Sequence, residues 1–172
     1  MKNSAFIIGF IIFLCFQGIG QKYRLYITLL EDCPICVQYT DELNVLYSQY
    51  GDLVDFEGIF PNFISKKENI ANFKNQYNIG FPLKTDYFKT ITNKYNCKVT
   101  PEVVLIDANN EQIIYKGAID NSYLMPGKQR KSGIIHYLAD VLEDIRNKKA
   151  PRHNHTQAVG CFINFSDKLS KN

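Results

Sequence analysis

The sequence predicts an α/β fold built on a central mixed β-sheet with helices on both faces. Three observations carry that prediction. Tyr23 to Leu30 is an aromatic and β-branched run that leads directly into Cys33-Pro34-Ile35-Cys36 and a helical pattern. After it, strand and helix patterns follow in the order β-α-β-α-β-α-β-β-α. Late in that order Val103-Val104-Leu105-Ile106 is a strongly apolar strand with a hairpin partner behind it.

The chain opens with a single positive charge at Lys2, then an apolar run from Ala5 to Phe16. Gln17-Gly18-Ile19-Gly20 places glycines at positions −3 and −1 of a cut before Gln21. Residues 1–20 read as a secretory signal peptide, because the apolar run is short for a membrane span. An uncleaved anchor is the alternative. Lipid attachment at Cys15 is disfavoured by bulky Phe13 and Leu14 before it. The mature chain then begins at Gln21, is periplasmic or secreted, and has no stable membrane insertion once the signal is removed.

The remaining chain reads as one domain over residues 21–150, with a C-terminal extension over residues 151–172 that docks on it. Twenty Lys and Arg against 17 Asp and Glu give a net charge of +3, and the basic residues are scattered. Lys128-Gln129-Arg130-Lys131 is the one short cluster, read as a solvated loop, so nucleic acid is not an expected partner. A monomer is expected.

Each element has a local reason. Pro34 suits the first turn of a helix, where no backbone N–H is needed, and Tyr39, Leu43, Leu46, Tyr47 and Tyr50 recur at helical spacing until Gly51. Leu53 to Phe60 alternates as a strand and stops at Pro61. Ser65 and Glu68 match a capping box for a helix whose apolar face is Ile70, Phe73 and Tyr77. Phe81 to Asp86 is extended, and Phe88 to Asn96 is helical. Asp107 to Asn110 turns the apolar strand back into Gln112 to Ile119. The last helix is expected over Gly133 to Arg146, with Ile134, Ile135, Leu138, Val141, Leu142 and Ile145 inward.

The chemistry concentrates at two places. Cys33 at a helix start should have a lowered pKa, from unpaired N–H groups and the helix dipole, with Glu31 and Asp32 opposing. Cys36, one turn on, is placed to resolve a mixed disulfide by attacking Cys33. A structural disulfide or half of a zinc site are the plainer alternatives, and the second ligand pair that zinc requires is missing. The other place is Val99-Thr100-Pro101-Glu102, before the apolar strand. A cis Thr100–Pro101 bond is the preferred reading, which would leave the Thr100 backbone free to pair with an incoming extended peptide. An ordinary trans proline opening the strand is the alternative.

These residues together resemble the thioredoxin fold, and within it the exported redoxins related to TlpA-like and AhpC/TSA proteins. The similarity rests on the strand–C-x-x-C–helix unit, on Thr100-Pro101-Glu102 before Val103 to Asp107, and on Tyr115 to Asp120. It implies thiol–disulfide exchange with Cys33 as nucleophile, Cys36 as resolving thiol and Pro101 as a cis proline. The partners it implies are protein thiols and disulfides plus an upstream electron donor, with the chain acting as a reductant, and no cofactor is called for. Thioredoxins carry a Trp beside the first cysteine and a buried acid on the preceding strand, and this chain has neither. Glu102 is the best substitute for that acid's proton-transfer role, the alternative being a surface acid at a strand edge.

Cys97 is expected as a packed, inert thiol near the redox face, and Cys161 as a half-buried single thiol packed by Phe162. A Cys97–Cys161 disulfide is the less favoured arrangement. The tail resembles the Thr-x-x-x-Gly-Cys extension of some exported redoxins, and Phe162, Ile163 and Phe165 suggest that it docks. Asn154-His155-Thr156 also matches a glycosylation sequon. Two rival functions remain: copper delivery of the Sco type, through the two cysteines and a histidine, and a peroxidase, which lacks its Pro-x-x-x-Thr-x-x-Cys loop here.

Overall fold

The computed structural model describes residues 21–165, so the expected signal segment and Cys15 lie outside the described residues. Five strands form the central sheet: β1 (Tyr23–Thr28), β2 (Val54–Phe60), β3 (Leu83–Thr85), β5 (Glu102–Asp107) and β6 (Ile113–Gly117), in the spatial order β3-β2-β1-β5-β6. β1, β2 and β3 run parallel, whereas β5 is antiparallel to both β1 and β6. The mixed sheet is therefore the one that the order of elements predicted.

Both faces of the sheet are buried. Leu25, Ile27, Val103, Leu105 and Tyr115 face a large core filled from four helices, α1 (Pro34–Gln38), α2 (Thr40–Tyr50), α3 (Lys67–Gln76) and α5 (Tyr137–Arg146). Tyr26, Val104 and Ile106 alternate to the other face, covered by Tyr95 and Ile91 around α4 (Thr90–Lys94), by Cys97, and by Ile163 of the tail. Two-sided burial explains why Val103 to Ile106 carries no polar residue.

Several local readings are corrected. The helix expected from Pro34 to Tyr50 is broken at Tyr39, whose N–H is shared between Ile35 O (3.3 Å) and Cys36 O (3.2 Å). Thr40 Oγ1 donates back to Val37 O at 2.7 Å, a bond that competes with the helical ladder. Gly51 ends α2 as expected, in right-handed geometry. Ser65 does not cap α3, whose N-cap is Lys66. Its hydroxyl donates instead to Glu31 Oε2 at 2.6 Å. The last helix starts only at Tyr137, leaving Ile135 exposed. The segment read as a solvated loop belongs to a small hairpin, β7 (Tyr123–Met125) with β8 (Lys128–Gln129).

Beyond α5 the tail stays on the domain. Arg152 caps it with a forked pair to the nearly buried Asp144, Nη2 to Oδ1 at 2.7 Å and Nε to Oδ2 at 3.0 Å. Lys116 N donates to Asn154 O and Thr156 N donates to Lys116 O, so the tail runs parallel to β6 for one bridge. Gly117 stands at φ +149°, and a Cβ there would lie 2.3 Å from Thr156 O. No other residue allows so close an approach.

Candidate active site

β1 ends at Thr28, and a turn closed by Cys33 N donating to Leu30 O brings the chain to α1. Cys33 is the N-cap: its backbone is extended, its C=O accepts from Val37 N at 3.1 Å, and Pro34 follows at the first helical position. Both cysteines of the pair are fully buried.

Across from them lies β4 (Val99–Thr100), then a cis Thr100–Pro101 bond. Thr28, which sequence reasoning passed over, holds this segment on both sides of Pro101. Its hydroxyl donates to Val99 O at 2.7 Å and accepts from Glu102 N at 2.8 Å. Pro101 cannot donate to a ladder, so the bonds on either side of it fix its place.

The sulfur chemistry follows from this arrangement. As a thiol, Cys33 donates to Thr100 O at 3.2 Å. As a thiolate it accepts first from the Cys36 thiol and then from the Cys161 thiol, and from the backbone N–H groups of both residues. Together they overcome burial and bring Cys33 down to about 5. The helix start expected to do this contributes through the Cys36 N–H, but the thiol of Cys36 is the larger cause. Cys36 itself is driven well above the usual thiol range, by burial first and by Cys33 second. The pair is thus split into one thiol that ionises readily and one that keeps its proton.

Glu102 is placed away from this chemistry. It shares the sheet face of Val104 and Ile106, opposite the face of Val103 and Leu105 that packs with Cys36. Its carboxylate accepts from Lys98 N at 2.8 Å and pairs with Lys116 Nζ at 3.3 Å. The polar group beside Cys36 is Thr100 instead. Cys97 sits on Glu102's face, where burial raises its thiol to about 12, and it is unpaired.

Two further groups border the site without a signal in the motif. Tyr39, one turn after Cys36, donates to the buried Asp120, which also accepts from Ser122 N at 2.8 Å. They line a cavity of about 160 Å³ that reaches Pro101 and Thr156. Glu42, Asp120 and His136 bring ligand atoms within 4.8 Å of one another, but each already has a protein partner, His136 Nδ1 bonding Glu42 Oε1 at 3.2 Å. On the other side of the pair, a cleft of about 410 Å³ runs between Pro34, Gln38, Tyr123 and Cys161.

The pattern of the thioredoxin-like family matches residues 20–113, more than half of the chain. This chain belongs to the thioredoxin-like family. The matched residues include Cys33, Cys36 and Pro101 and stop short of the tail. A hypothetical protein from Sinorhizobium meliloti 1021 superimposes with a TM-score of 0.72 at 20% identity, over 83% of this chain and 79% of that one. An uncharacterized conserved protein from Geobacillus kaustophilus gives the same TM-score at 18% identity, over 86% and 79%. A thioredoxin-like protein solved in its oxidised form gives 0.56 at 15% identity, over 77% and 83%. These likenesses establish the thioredoxin-like fold. No curated protein matches the sequence.

Proposed function

We propose that this chain is an extracytoplasmic thiol–disulfide oxidoreductase acting on protein disulfides. The observation that carries the reading is the split pair, with Cys33 held as a thiolate near neutral pH and Cys36 held protonated beside it. The Cys33 thiolate attacks one sulfur of a substrate disulfide, forming a mixed disulfide and releasing one substrate thiolate. Cys36 then gives up its proton and attacks Cys33 Sγ, which releases the second substrate thiol and leaves a Cys33–Cys36 disulfide. An upstream donor returns two electrons to the pair.

The thiolate also bears on direction. Stabilising Cys33 as a thiolate stabilises the reduced form, which makes the pair more oxidising. A pKa of about 5 lies between the ~7 of thioredoxin and the ~3.5 of the strongest periplasmic oxidase. The reductant role that the resemblance implies then depends on a donor strong enough to keep the pair reduced.

Equilibration in glutathione buffers, with the Cys33–Cys36 state read by alkylation, measures the reduction potential of the pair. Catalysed reduction of insulin disulfides tests the activity. A pair that neither oxidises nor accelerates reduction would exclude the reading. Copper delivery has less support, because the imidazoles of His136 and His153 are already bonded to Glu42 and, at 3.3 Å, to Asp140.

A further inference from the structure

Cys33 is fully buried, although an attacking thiolate needs access to its target. Part of what covers it is the chain's own tail. β9 (Cys161–Phe162) pairs antiparallel with β4, Phe162 opposite Val99 and Cys161 opposite Thr100, and Ile163 N donates to Lys98 O at 3.0 Å. The Thr100 backbone, expected to be open to an incoming peptide, is therefore occupied by an extended segment from within the molecule. The fit is specific. A Cβ on Gly160 would stand 2.2 Å from Thr100 O and 2.6 Å from Thr100 C, so only glycine lets the tail lie this close.

The tail is also held in register upstream. Thr156 Oγ1 accepts from Ala118 N at 3.0 Å and bonds the Tyr115 hydroxyl at 2.6 Å, while that hydroxyl donates to Ala118 O at 2.6 Å. Four residues on, Gly160 meets Thr100, and the next side chain is the Cys161 thiol, packed against the core cluster that holds Cys33 and near enough to feel its charge. Phe162, expected to pack this cysteine, points out and is 85% exposed. The sulfur neighbour of Cys161 is Cys33, and Cys97 belongs to the core on the other face.

We propose that Cys161 is a third redox thiol of this site, an internal substrate that exchanges with the Cys33–Cys36 disulfide. The inference rests on the oxidoreductase reading above. Deprotonated Cys161 attacks Cys33 Sγ of the oxidised pair. The Cys33–Cys161 bond forms, the Cys33–Cys36 bond breaks, and the electron pair and a proton go to Cys36. The step is an isomerisation of one disulfide, with no net gain or loss of electrons. In the reduced protein, burial and the neighbouring Cys33 thiolate push Cys161 up to about 12. Once Cys33 is in a disulfide that charge is gone, so Cys161 becomes the better nucleophile when there is a disulfide to attack. Cys161 is partly exposed whereas Cys33 is buried, so the exchange carries the disulfide from the interior to the side of the cleft.

The test uses the full mature chain with Cys36→Ser, reduced, diluted and treated with glutathione disulfide. The expected course is attack by Cys33, release of one glutathione, then resolution by Cys161 with release of a second. The product is a monomer in which peptide mapping finds Cys33 linked to Cys161. Release of one glutathione only, with a lasting Cys33–glutathione adduct and a Cys161 still open to alkylation, would overturn the proposal and leave the oxidoreductase reading standing. Release of none would overturn both. A link found only in disulfide-bonded dimers would also overturn it. Should the variant not fold, the wild-type chain equilibrated in glutathione buffer serves. A Cys33–Cys161 peptide is expected there beside the Cys33–Cys36 one, and its absence at every potential would count against the proposal.

Discussion

Cys161 stands opposite Thr100 in a two-residue antiparallel ladder, 61 positions away in sequence, with Gly160 laid against the Thr100 carbonyl. The face on which a partner peptide would be read is thus closed by the tail in this state of the molecule. The ladder itself is only two residues long, although Ile163 just beyond it is buried against the far face of the sheet.

Replacing Gly160 with Val should separate the tail from Thr100. The added side chain would meet backbone at 2.2 Å, which cannot move aside as a flexible side chain could. Alkylation of reduced Cys33 by iodoacetamide should quicken by about tenfold or more, equivalent to about 1.4 kcal/mol of opening. An unchanged rate would show that the tail does not guard the thiol.

Cys33→Ser should abolish disulfide exchange. Cys36→Ser alone should trap substrate poorly, since Cys161 remains to resolve the mixed disulfide, and Cys36→Ser with Cys161→Ser should trap it well. Comparing the two variants on non-reducing gels with a disulfide-bonded substrate decides this. Equal trapping by both would show that Cys161 takes no part.

The pH dependence follows from the pKa directions. Cys33 titrates at about 5, below its ordinary value, and Cys36 lies far above it. Between these limits, reduction binds one proton for two electrons, so the potential should fall by about 30 mV per pH unit, steepening to about 60 mV below pH 5. The sign for stability is that of a depressed acid. The reduced protein gains from the Cys33 thiolate fully above the unfolded value near 8.5, and loses that gain as pH falls toward 5. Potentials measured across pH 4 to 8 check the slope, and a uniform steep slope would place the Cys33 pKa above that range.

Thr28→Val keeps the shape and removes the hydroxyl that joins Val99 O to Glu102 N. Leaving those buried groups unpaired should cost about 1–3 kcal/mol in urea unfolding. Because the same bonds set the Thr100 carbonyl against Cys33, the Cys33 pKa should move as well, read by thiolate absorbance. A stability loss with an unmoved titration would limit Thr28 to a structural role.

What the sequence determined by itself was the topology and the place of the Cys33–Cys36 pair within it. Strand and helix periods, Pro34 after Cys33, and the apolar run after Pro101 are local signals, and each describes the segment that carries it. They led to the mixed sheet and to Cys33 at a helix start, and left the bond before Pro101 open between cis, the preferred reading, and trans; the structure has it cis. The tertiary structure alone decided what each segment meets. Ser65 has the spacing of a cap, but Glu31 lies close enough to take its hydroxyl. Glu102 adjoins Pro101 in sequence, yet strand alternation sends it to the face opposite Cys36. The Thr-x-x-x-Gly-Cys pattern marks Cys161 in the tail but does not say what its thiol meets. Its place beside Cys33 is set by the forked Arg152–Asp144 pair, by Thr156 on Tyr115 and Ala118, and by two glycines that let backbone approach backbone. Such contacts join residues far apart in the chain, and only folding brings them within bonding distance.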